Sequence, residues 1–257
     1  MAREQLTVLI PTFNSDQPLA DLLRDVSWAD EILVVDSYSA DNTVAVARQH
    51  GARVIEHAYV NSANQKNWAI PQCLYDWVLV VDTDERLPLA LQTEILRLLA
   101  SGIPADVEAY CLARQTIFLG QWLKSMALWP DYQTRLFRKT AGRYEDLAVH
   151  ADVVVPGQVG TLQNFLVHNS TPTLSKQVGL LDRYSRYQAE ELARRGAHFH
   201  WIDVTLRPVA IFLYRYFWQR GFTEGLRGLF VAFHAMAFSF FTHSKLWERE
   251  WRASQRR

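Results

Sequence analysis

The sequence predicts an α/β protein, in which a mixed, mainly parallel sheet is covered by helices and followed by a helical C-terminal extension. Over residues 6–99, short β-rich runs alternate with helical periodicity, a pattern typical of parallel strands joined by helices. The 257 residues are 49% hydrophobic and 21% charged, which is enough apolar material for a sizeable core. Residues 208–241 differ in character and contain eleven aromatic residues.

Three apolar runs predict the central strands of the sheet. They cover residues 6–10, 31–35 and 77–81. A strand with one solvated face alternates apolar and polar residues, and these runs do not. Each strand is therefore expected to be buried on both faces.

Two apolar stripes at helical spacing predict helices that pack on this sheet. The stripes comprise Leu19, Leu22, Leu23 and Val26, and Leu91, Ile95, Leu98 and Leu99. Gly102 is placed to end the second helix. Between these helices, Asn42 and Thr43 predict the start of a further helix that Gly51 ends in a left-handed conformation.

The C-terminal part of the chain is predicted to be helical. A long helix is expected over residues 174–195, and the domain boundary is placed between residues 172 and 173. Residues 229–241 form the longest nearly uncharged stretch, and these thirteen residues fall short of the roughly 20 that span a bilayer. We therefore expect no transmembrane helix in this region.

One helical stripe in the C-terminal region combines apolar residues with nearby tryptophan and basic residues, which favours an amphipathic helix on a membrane surface. The stripe comprises Leu226, Leu229, Phe230, Phe233, Ala237 and Phe240. The same periodicity would also serve packing against the first domain or a second subunit.

Composition excludes several classes of protein. Lys and Arg total 27 and Asp and Glu total 27, so the chain lacks the basic excess that nucleic-acid binding usually requires. Cys73 and Cys111 lack metal-binding spacing and are expected to be reduced. The apolar segment at residues 6–10 is too short for a signal peptide, so we expect a cytoplasmic protein.

The strongest chemical signal is Asp82-Thr83-Asp84-Glu85, which follows directly after a predicted buried strand. Ligands of open α/β sheets bind beyond the carboxyl ends of the strands, and Mg²⁺ or Mn²⁺ shared with a diphosphate needs one or two carboxylates. Asp82 and Asp84 are therefore candidate metal ligands. The same residues would also suit the acidic N-terminus of the following helix.

A second polar loop follows the strand that ends at Asp36. Asp36 is placed to accept a hydrogen bond from a base or ribose. The alternative is a simple turn and helix cap, for which Asp41 and Thr43 would serve in a protein of any function.

The order and spacing of four motifs resemble glycosyltransferase family 2. These are Ile10-Pro11-Thr12-Phe13-Asn14, Asp36-Ser37-x-Ser39-x-Asp41-x-Thr43, Gln65-Lys66-Asn67 and Asp82-Thr83-Asp84-Glu85. More narrowly, three segments resemble the bacterial branch that contains lipopolysaccharide-core β-glucosyltransferases. They are Phe118-Leu119-Gly120-Gln121-Trp122, Trp129-Pro130-Asp131-Tyr132-Gln133-x-Arg135 and Gly221-Phe222-x-x-Gly225. The resemblance implies a GT-A fold with a Rossmann-like sheet over residues 1–172.

The resemblance also implies roles for individual residues. Asp36 would bind the nucleoside, Asp82 the ribose or the metal, and Asp84 the metal that bridges both phosphates. Lys66 and Arg135 would face the diphosphate. Further residues of the same motifs are assigned to donor binding, namely Pro11, Thr12, Asn14, Ser39, Asn67 and Thr83. His150 is included as a third candidate metal ligand.

The catalytic base is the point at which this chain departs from the family. Family members usually carry Glu after a Val-His pair, and the matching position here is Ala151. Asp152 would replace that base after a one-residue shift, which needs a bulge in the strand. Asp146, in the preceding loop, is the other candidate. A third interpretation is that the chain binds its donor but turns it over poorly or not at all.

These observations predict an inverting, metal-assisted glycosyltransferase on the inner face of the cytoplasmic membrane. The expected donor is a nucleoside diphosphate sugar, with a UDP-sugar and glucose preferred, and the expected acceptor is a glycan or a lipid-linked molecule. The cofactor would be Mn²⁺ or Mg²⁺. A nucleotidyltransferase is disfavoured because residues 11–14 offer no glycine-rich phosphate loop. A non-catalytic sugar-nucleotide or membrane-binding scaffold stays open.

Overall fold

The computed structural model describes residues 3–147, 151–171 and 173–255. The chain divides into two compact units. The first contains residues 1–115, 130–146 and 150–170, and the second contains residues 116–129, 147–149 and 171–257. The second unit thus includes a segment from the middle of the chain.

The first half of the large sheet consists of parallel strands joined by helices. Strands β1 (Leu6–Thr12), β2 (Glu31–Asp36), β3 (Arg53–Glu56) and β4 (Trp77–Val80) lie in the order β3-β2-β1-β4. All three pairs are parallel. The three predicted strands are confirmed, and β1 and β4 are almost entirely buried because both faces are covered.

The second half of the sheet is antiparallel. Strands β5 (Glu85–Arg86), β6 (Val107–Phe118), β8 (Tyr132–Arg138) and β11 (Gln158–Thr171) continue the order as β4-β8-β6-β11-β5. Within the described residues, β4 pairs antiparallel with β8, β8 with β6, and β11 with β5. The predicted mixed sheet is confirmed, and its parallel pairing lies in the first four strands because the described residues between 102 and 171 contain no crossover helix. The short strand β7 (Gln121–Trp122) pairs antiparallel with the end of β6. Strands β9 (Arg143–Tyr144) and β10 (Val153–Val154) form a separate antiparallel pair.

Four helices accompany the sheet, and all but α3 lie where the sequence predicts them. They are α1 (Asp16–Asp25), α2 (Thr43–Gln49), α3 (Ser62–Ala69) and α4 (Leu89–Ser101). The predicted stripes are buried on α1 and α4, and the apolar cluster of the sheet includes both. Gly51 and Gly102 follow α2 and α4 with φ of 78° and 80°, the left-handed conformation that ends a helix.

The second unit is built mainly of helices α5 (Leu174–Arg194), α6 (Leu206–Leu213) and α7 (Gly225–Ser254). Most of the predicted apolar stripe on α7 is exposed, with Leu226 at 80% and Phe233 at 54%. Phe230 instead stacks on Phe118. Packing within this unit therefore covers only part of the stripe.

The helical stretch Gly221–Ser254 is long and apolar enough to cross a membrane by length and composition alone. This differs from the expectation drawn from a thirteen-residue stretch. The physical reason is that residues 228–244 contain no Asp, Glu, Lys or Arg and continue into a much longer helix. Only 22% of the apolar window of this helix is buried in the structure.

A candidate nucleotide-sugar site at the carboxyl ends of the strands

The predicted motifs meet at one edge of the sheet. In the parallel register, Thr12 at the end of β1 lies beside Asp36 at the end of β2, and β4 on the other side of β1 leads into Asp82. The carboxyl ends of adjacent parallel strands share an edge, and ligands of open α/β sheets bind there. The fold therefore brings together residues that are about 70 positions apart in the sequence.

The loops after β1 and β2 are tied to each other by side-chain hydrogen bonds. The buried Asp36 carboxylate accepts hydrogen bonds from the Ser39 backbone N–H at 2.7 Å and the Ser39 hydroxyl at 2.5 Å. The Ser39 hydroxyl in turn accepts from the Asn14 backbone N–H at 2.8 Å, and the Asn14 side-chain oxygen accepts from Ala40 N–H at 2.8 Å. Asp36 thus holds the shape of the two loops.

These loops expose two aromatic side chains that the motif assignment did not include. Phe13 is 57% and Tyr38 is 60% exposed. Tyr38 and Asn14 have φ of 62° and 45°, so each loop contains a non-glycine residue in the left-handed region. Beside them, Pro11 is partly buried, and the Thr12 hydroxyl is buried without a hydrogen-bond partner in the described residues.

The centre of the site is a cluster of two cations and two carboxylates, defined by Lys66, Arg135, Asp82 and Glu85. Lys66 Nζ lies 2.9 Å from Asp82 Oδ1, and both terminal nitrogens of Arg135 lie 3.3 Å from Asp82 Oδ2. Arg135 also donates to Glu85 Oε1 at 2.7 Å. Glu85 is fully buried, and its second oxygen accepts from the Asp82 backbone N–H at 2.8 Å.

The charges of this cluster shift the pKa values of its members. Burial raises the pKa of the Asp82 carboxyl, but Lys66 and Arg135 outweigh burial and hold it well below its usual range. Burial lowers the pKa of Lys66, and Asp82 more than compensates, so its pKa lies above the ordinary value. Burial raises the pKa of Glu85 against the opposing effect of Arg135. Lys66 and Arg135 are therefore held charged in a largely buried environment.

Asp84 lies outside this cluster and faces a histidine. Asp84 Oδ2 is 3.5 Å from His168 Nε2, and the side chain is 37% exposed. His168 is carried by β11, which pairs with β5 directly after the acidic motif. Its Nδ1 is buried and has no hydrogen-bond partner in the part of the chain that is described. Thr83, between the two aspartates, is partly buried.

No three His, Cys, Asp or Glu side chains form a ready metal site within residues 3–147, 151–171 and 173–255. The predicted ligand His150 lies outside the described residues. Asp82 and Asp84 stand one residue apart with partly exposed carboxylates, and His168 adds a nitrogen ligand beside Asp84. Mg²⁺ and Mn²⁺ are commonly held by one or two carboxylates together with phosphate oxygens. These side chains therefore fit a divalent cation that phosphates help to bind.

The segment that carries the candidate base Asp146 is anchored to α3. Asn67 donates its side-chain N–H to Tyr144 O at 2.8 Å and accepts from Tyr144 N–H at 2.9 Å. Lys66 Nζ lies 5.2 Å from the centre of the Tyr144 ring. Asp146 is exposed and follows this anchored residue by two positions. The structure thus gives Asn67 a positioning role.

The segment 151–155, which contains β10, shows regular alternation of partly buried and exposed residues. Ala151, Val153 and Val155 pack against an apolar cluster, whereas Asp152 is exposed. The backbone of Asp152 is hydrogen-bonded to Glu145, whose backbone N–H donates to Asp152 O at 3.0 Å. Over the described residues 151–155 there is no irregularity that would turn Asp152 toward the face of Ala151.

Local sequence patterns do not identify the partners of two residues near this site. Glu85 belongs to the acidic motif, and the structure buries it as the counter-ion of Arg135. A single histidine such as His168 suits a ligand or a structural hydrogen-bonding role equally in the sequence, and the structure brings it to Asp84, 84 positions away. In both cases the partner lies far along the chain, and the pairing depends on sheet register that a local pattern does not contain.

Comparison with known proteins agrees with this arrangement. The family model of glycosyl transferase family 2 matches residues 7–154, which is more than half of the chain. The lipopolysaccharide core biosynthesis glycosyltransferase LpsC of Rhizobium meliloti is 26% identical over 95% of this chain and 92% of its own length. An uncharacterised glycosyltransferase of Rickettsia felis is 29% identical over 93% of this chain and 87% of its own.

Among solved structures, the fold is similar to a mannosyltransferase of Pyrobaculum calidifontis in complex with GDP-Man and Mn²⁺. The TM-score is 0.57 with 15% identity, and the match covers 96% of this chain and 88% of that one. This likeness confirms the GT-A fold. Together with the family match, it shows that the protein is an enzyme that belongs to glycosyltransferase family 2.

Proposed function

We propose that the enzyme moves a sugar, with inversion, from a nucleoside diphosphate to a glycan or lipid-linked acceptor. The observation that carries this proposal is the buried cation–carboxylate cluster next to Asp84. Two cations held in a largely buried site are placed to stabilise the charge that develops on a leaving diphosphate. Two carboxylates balance them before the donor binds, so additional positive charge is needed for tight diphosphate binding.

A divalent cation, Mn²⁺ or Mg²⁺, would supply that charge. Asp84 and His168 would hold it, with Asp82 as a further oxygen ligand. When bound, the cation would neutralise the phosphates and improve the leaving group. His168 Nε2, which lies 3.5 Å from Asp84 Oδ2, is the ring nitrogen that would contact the cation.

The nucleoside would bind over the loops after β1 and β2. Asp36, Ser39 and Asn14 shape this surface, and the exposed rings of Phe13 and Tyr38 offer apolar faces on which a base can stack. Pro11, Thr12, Asn67 and Thr83 complete the surroundings. We propose a UDP-sugar, with glucose preferred, as the donor.

Asp146 is the proposed catalytic base. It would accept the proton of the acceptor hydroxyl while the hydroxyl oxygen attacks the anomeric carbon and the bond to the diphosphate breaks. Tyr144, two residues before Asp146, lies beside Lys66, whereas in the segment of Asp152 it is Ala151 that packs against the apolar cluster containing Tyr144. Asp146→Asn should therefore reduce transfer far more than Asp152→Asn.

We propose that the C-terminal unit docks on an anionic membrane surface. Residues 171–257 contain 14 Lys and Arg against 7 Asp and Glu, while residues 1–170 contain 13 against 20. The whole chain is neutral, but residues 171–257 are basic and residues 1–170 are acidic. Basic residues beside exposed rings such as Trp218, which is 79% exposed, suit an anionic lipid interface. A lipid-linked acceptor, such as a lipopolysaccharide precursor, and the inner face of the cytoplasmic membrane fit this surface.

The test is release of nucleoside diphosphate and transfer of sugar from a panel of donors with Mn²⁺ or Mg²⁺. Wild-type protein should release nucleoside diphosphate in a metal-dependent way, and Asp84→Ala should lose this activity. Asn164→Ala, a polar change away from the motifs, is the matched control. Metal-independent release that survives Asp84→Ala would overturn the proposal.

A second candidate function is supported by Ala151, which occupies the expected base position and packs against an apolar cluster. The chain would then bind its donor without efficient turnover. Ala151→Glu separates the two functions. Activity that appears only in Ala151→Glu supports a donor-binding protein without a base, whereas activity in the wild type supports the transferase.

A further inference from the structure

Two motifs without a role in the donor site come together in the second unit. These are the segment 118–122 and the segment 221–225, which lie about 100 residues apart. Arg227, just after the second motif, donates to Gln121 Oε1 at 2.9 Å and to Leu119 O at 3.0 Å. Glu224 accepts from Gln121 Nε2 at 3.2 Å. The two motifs thus form one structural element.

Glu224 fixes the loop that follows the first motif. One carboxylate oxygen accepts hydrogen bonds from the backbone N–H groups of Lys124 at 2.8 Å and Ser125 at 2.9 Å. With the bond from Gln121, three donors satisfy this carboxylate. The carboxylate is therefore held in place by the loop, and it forms no ion pair within the described residues.

The backbones in this element approach each other closely. A Cβ on Gly221 would lie 2.9 Å from both Arg215 O and Met126 Sδ. Met126, Ala127 and Arg220 have φ of 59°, 56° and 60°. Three non-glycine residues in the left-handed region cost free energy, and such strain is concentrated at binding and catalytic sites.

This strained element encloses a groove of about 380 Å³. Its walls include Lys124, Ser125, Gln219 and Arg220. Ser125 Oγ and Gln219 Oε1 are buried and have no hydrogen-bond partner among the described residues. Buried polar atoms are nearly always paired, so two unpaired ones on residues that line one groove are candidate partners for the hydroxyl or similar groups of a ligand.

Two cations stand at the same groove without a carboxylate partner in the described structure. Lys124 Nζ lies 4.3 Å from the centre of the Trp122 ring, and the exposed Arg220 side chain forms no ion pair. Glu224 also lines the groove, so two cations and one carboxylate leave the groove with a net positive charge. It favours a ligand that carries a negative group as well as hydroxyls.

We propose that this groove binds an acidic sugar, a saccharide unit with a phosphate or carboxylate group. Lys124 and Arg220 would contact the acidic group, while Ser125 and Gln219 would bond to sugar hydroxyls. The groove volume falls within the range of small-molecule sites. That this sugar belongs to the acceptor rests on the proposed transferase function, whereas binding itself does not.

The test is calorimetric titration of the full chain with glucose 6-phosphate, glucuronic acid, glucose and inorganic phosphate. We expect saturable binding of at least one acidic sugar that is tighter than binding of glucose or inorganic phosphate. The two acidic sugars distinguish a phosphate from a carboxylate ligand. Arg220→Gln and Ser125→Ala should each weaken binding, by about tenfold or more for the lost charge.

The matched control is Arg194→Gln, which removes an exposed arginine of the same unit outside the groove and should bind like the wild type. Thermal unfolding of each variant establishes that the fold is intact, and Lys124→Gln tests the second cation. No saturable binding of either acidic sugar, or unchanged binding in Arg220→Gln and Lys124→Gln, would overturn the proposal. The titration contains neither donor nor metal, so a negative result would not count against the proposed donor site, which the nucleoside diphosphate assay tests separately.

Discussion

Replacing Arg135 with Met should destabilise the enzyme strongly and in a pH-dependent way. Arg135 is 6% exposed and bonds to the fully buried Glu85 at 2.7 Å. Removing one partner of a buried ion pair leaves an uncompensated charge and costs about 3–5 kcal/mol. For a chain of this size that corresponds to a fall in Tm of roughly 6–20 °C near neutral pH.

The pH dependence follows from Glu85. Its pKa is raised by burial even with Arg135 present, and loss of Arg135 removes an effect that lowers it. A raised pKa in the folded state means that stability is greatest at low pH and is lost as pH rises through that pKa. The Tm difference between Arg135→Met and wild type should therefore be larger at pH 8 than at pH 5.

Two further variants make this prediction specific. Arg138→Met, on the same strand, removes a pair with the 41% exposed Asp76 and should cost only about 1 kcal/mol. The double variant Arg135→Met/Glu85→Gln removes both charges and should be more stable than Arg135→Met alone. Calorimetry at both pH values measures these differences. If Arg135→Met lowers Tm no more than Arg138→Met does, the buried ion pair does not have the predicted importance for stability.

Three other predictions concern separate parts of the molecule. At pH 8 a thiol reagent should label Cys111 before Cys73, because burial raises the Cys73 pKa to about 12. Mass spectrometry of the labelled peptides measures the two labelling rates, and equal rates would contradict the prediction. Gly228→Ala should lower stability by about 1–3 kcal/mol, since its Cβ would lie 1.9 Å from Gly221 O, and an unchanged Tm would contradict the packing. Trp218→Ser should weaken binding to anionic liposomes without lowering Tm, and undiminished sedimentation with liposomes would count against the membrane surface.

Much of the fold and part of the site could be predicted from the sequence, because the relevant signals are local. Strand β2, which ends at Asp36, and helix α2, which Gly51 follows, are each predicted from fewer than ten neighbouring residues. The acidic motif at Asp82 is equally local. Parallel strand order then brings these loops to one edge without further information.

The remaining features depend on long-range pairing. The ion pair of Glu85 with Arg135 and the approach of His168 to Asp84 require the antiparallel register of β8 and β11, which no local pattern specifies. The extent of α7 was underestimated for a different reason. A helix tolerates isolated charged residues at its ends, so counting an uninterrupted apolar run gives a minimum length only.

Binding of UDP or GDP with and without Mn²⁺ decides whether a metal-assisted diphosphate site lies at the end of β4. Isothermal titration of wild type, Asp84→Asn and Asp36→Asn separates the metal from the nucleoside contribution. We expect tight binding that requires Mn²⁺ and is lost in Asp84→Asn. Binding that is equally strong without Mn²⁺ and unaffected by Asp84→Asn would contradict it.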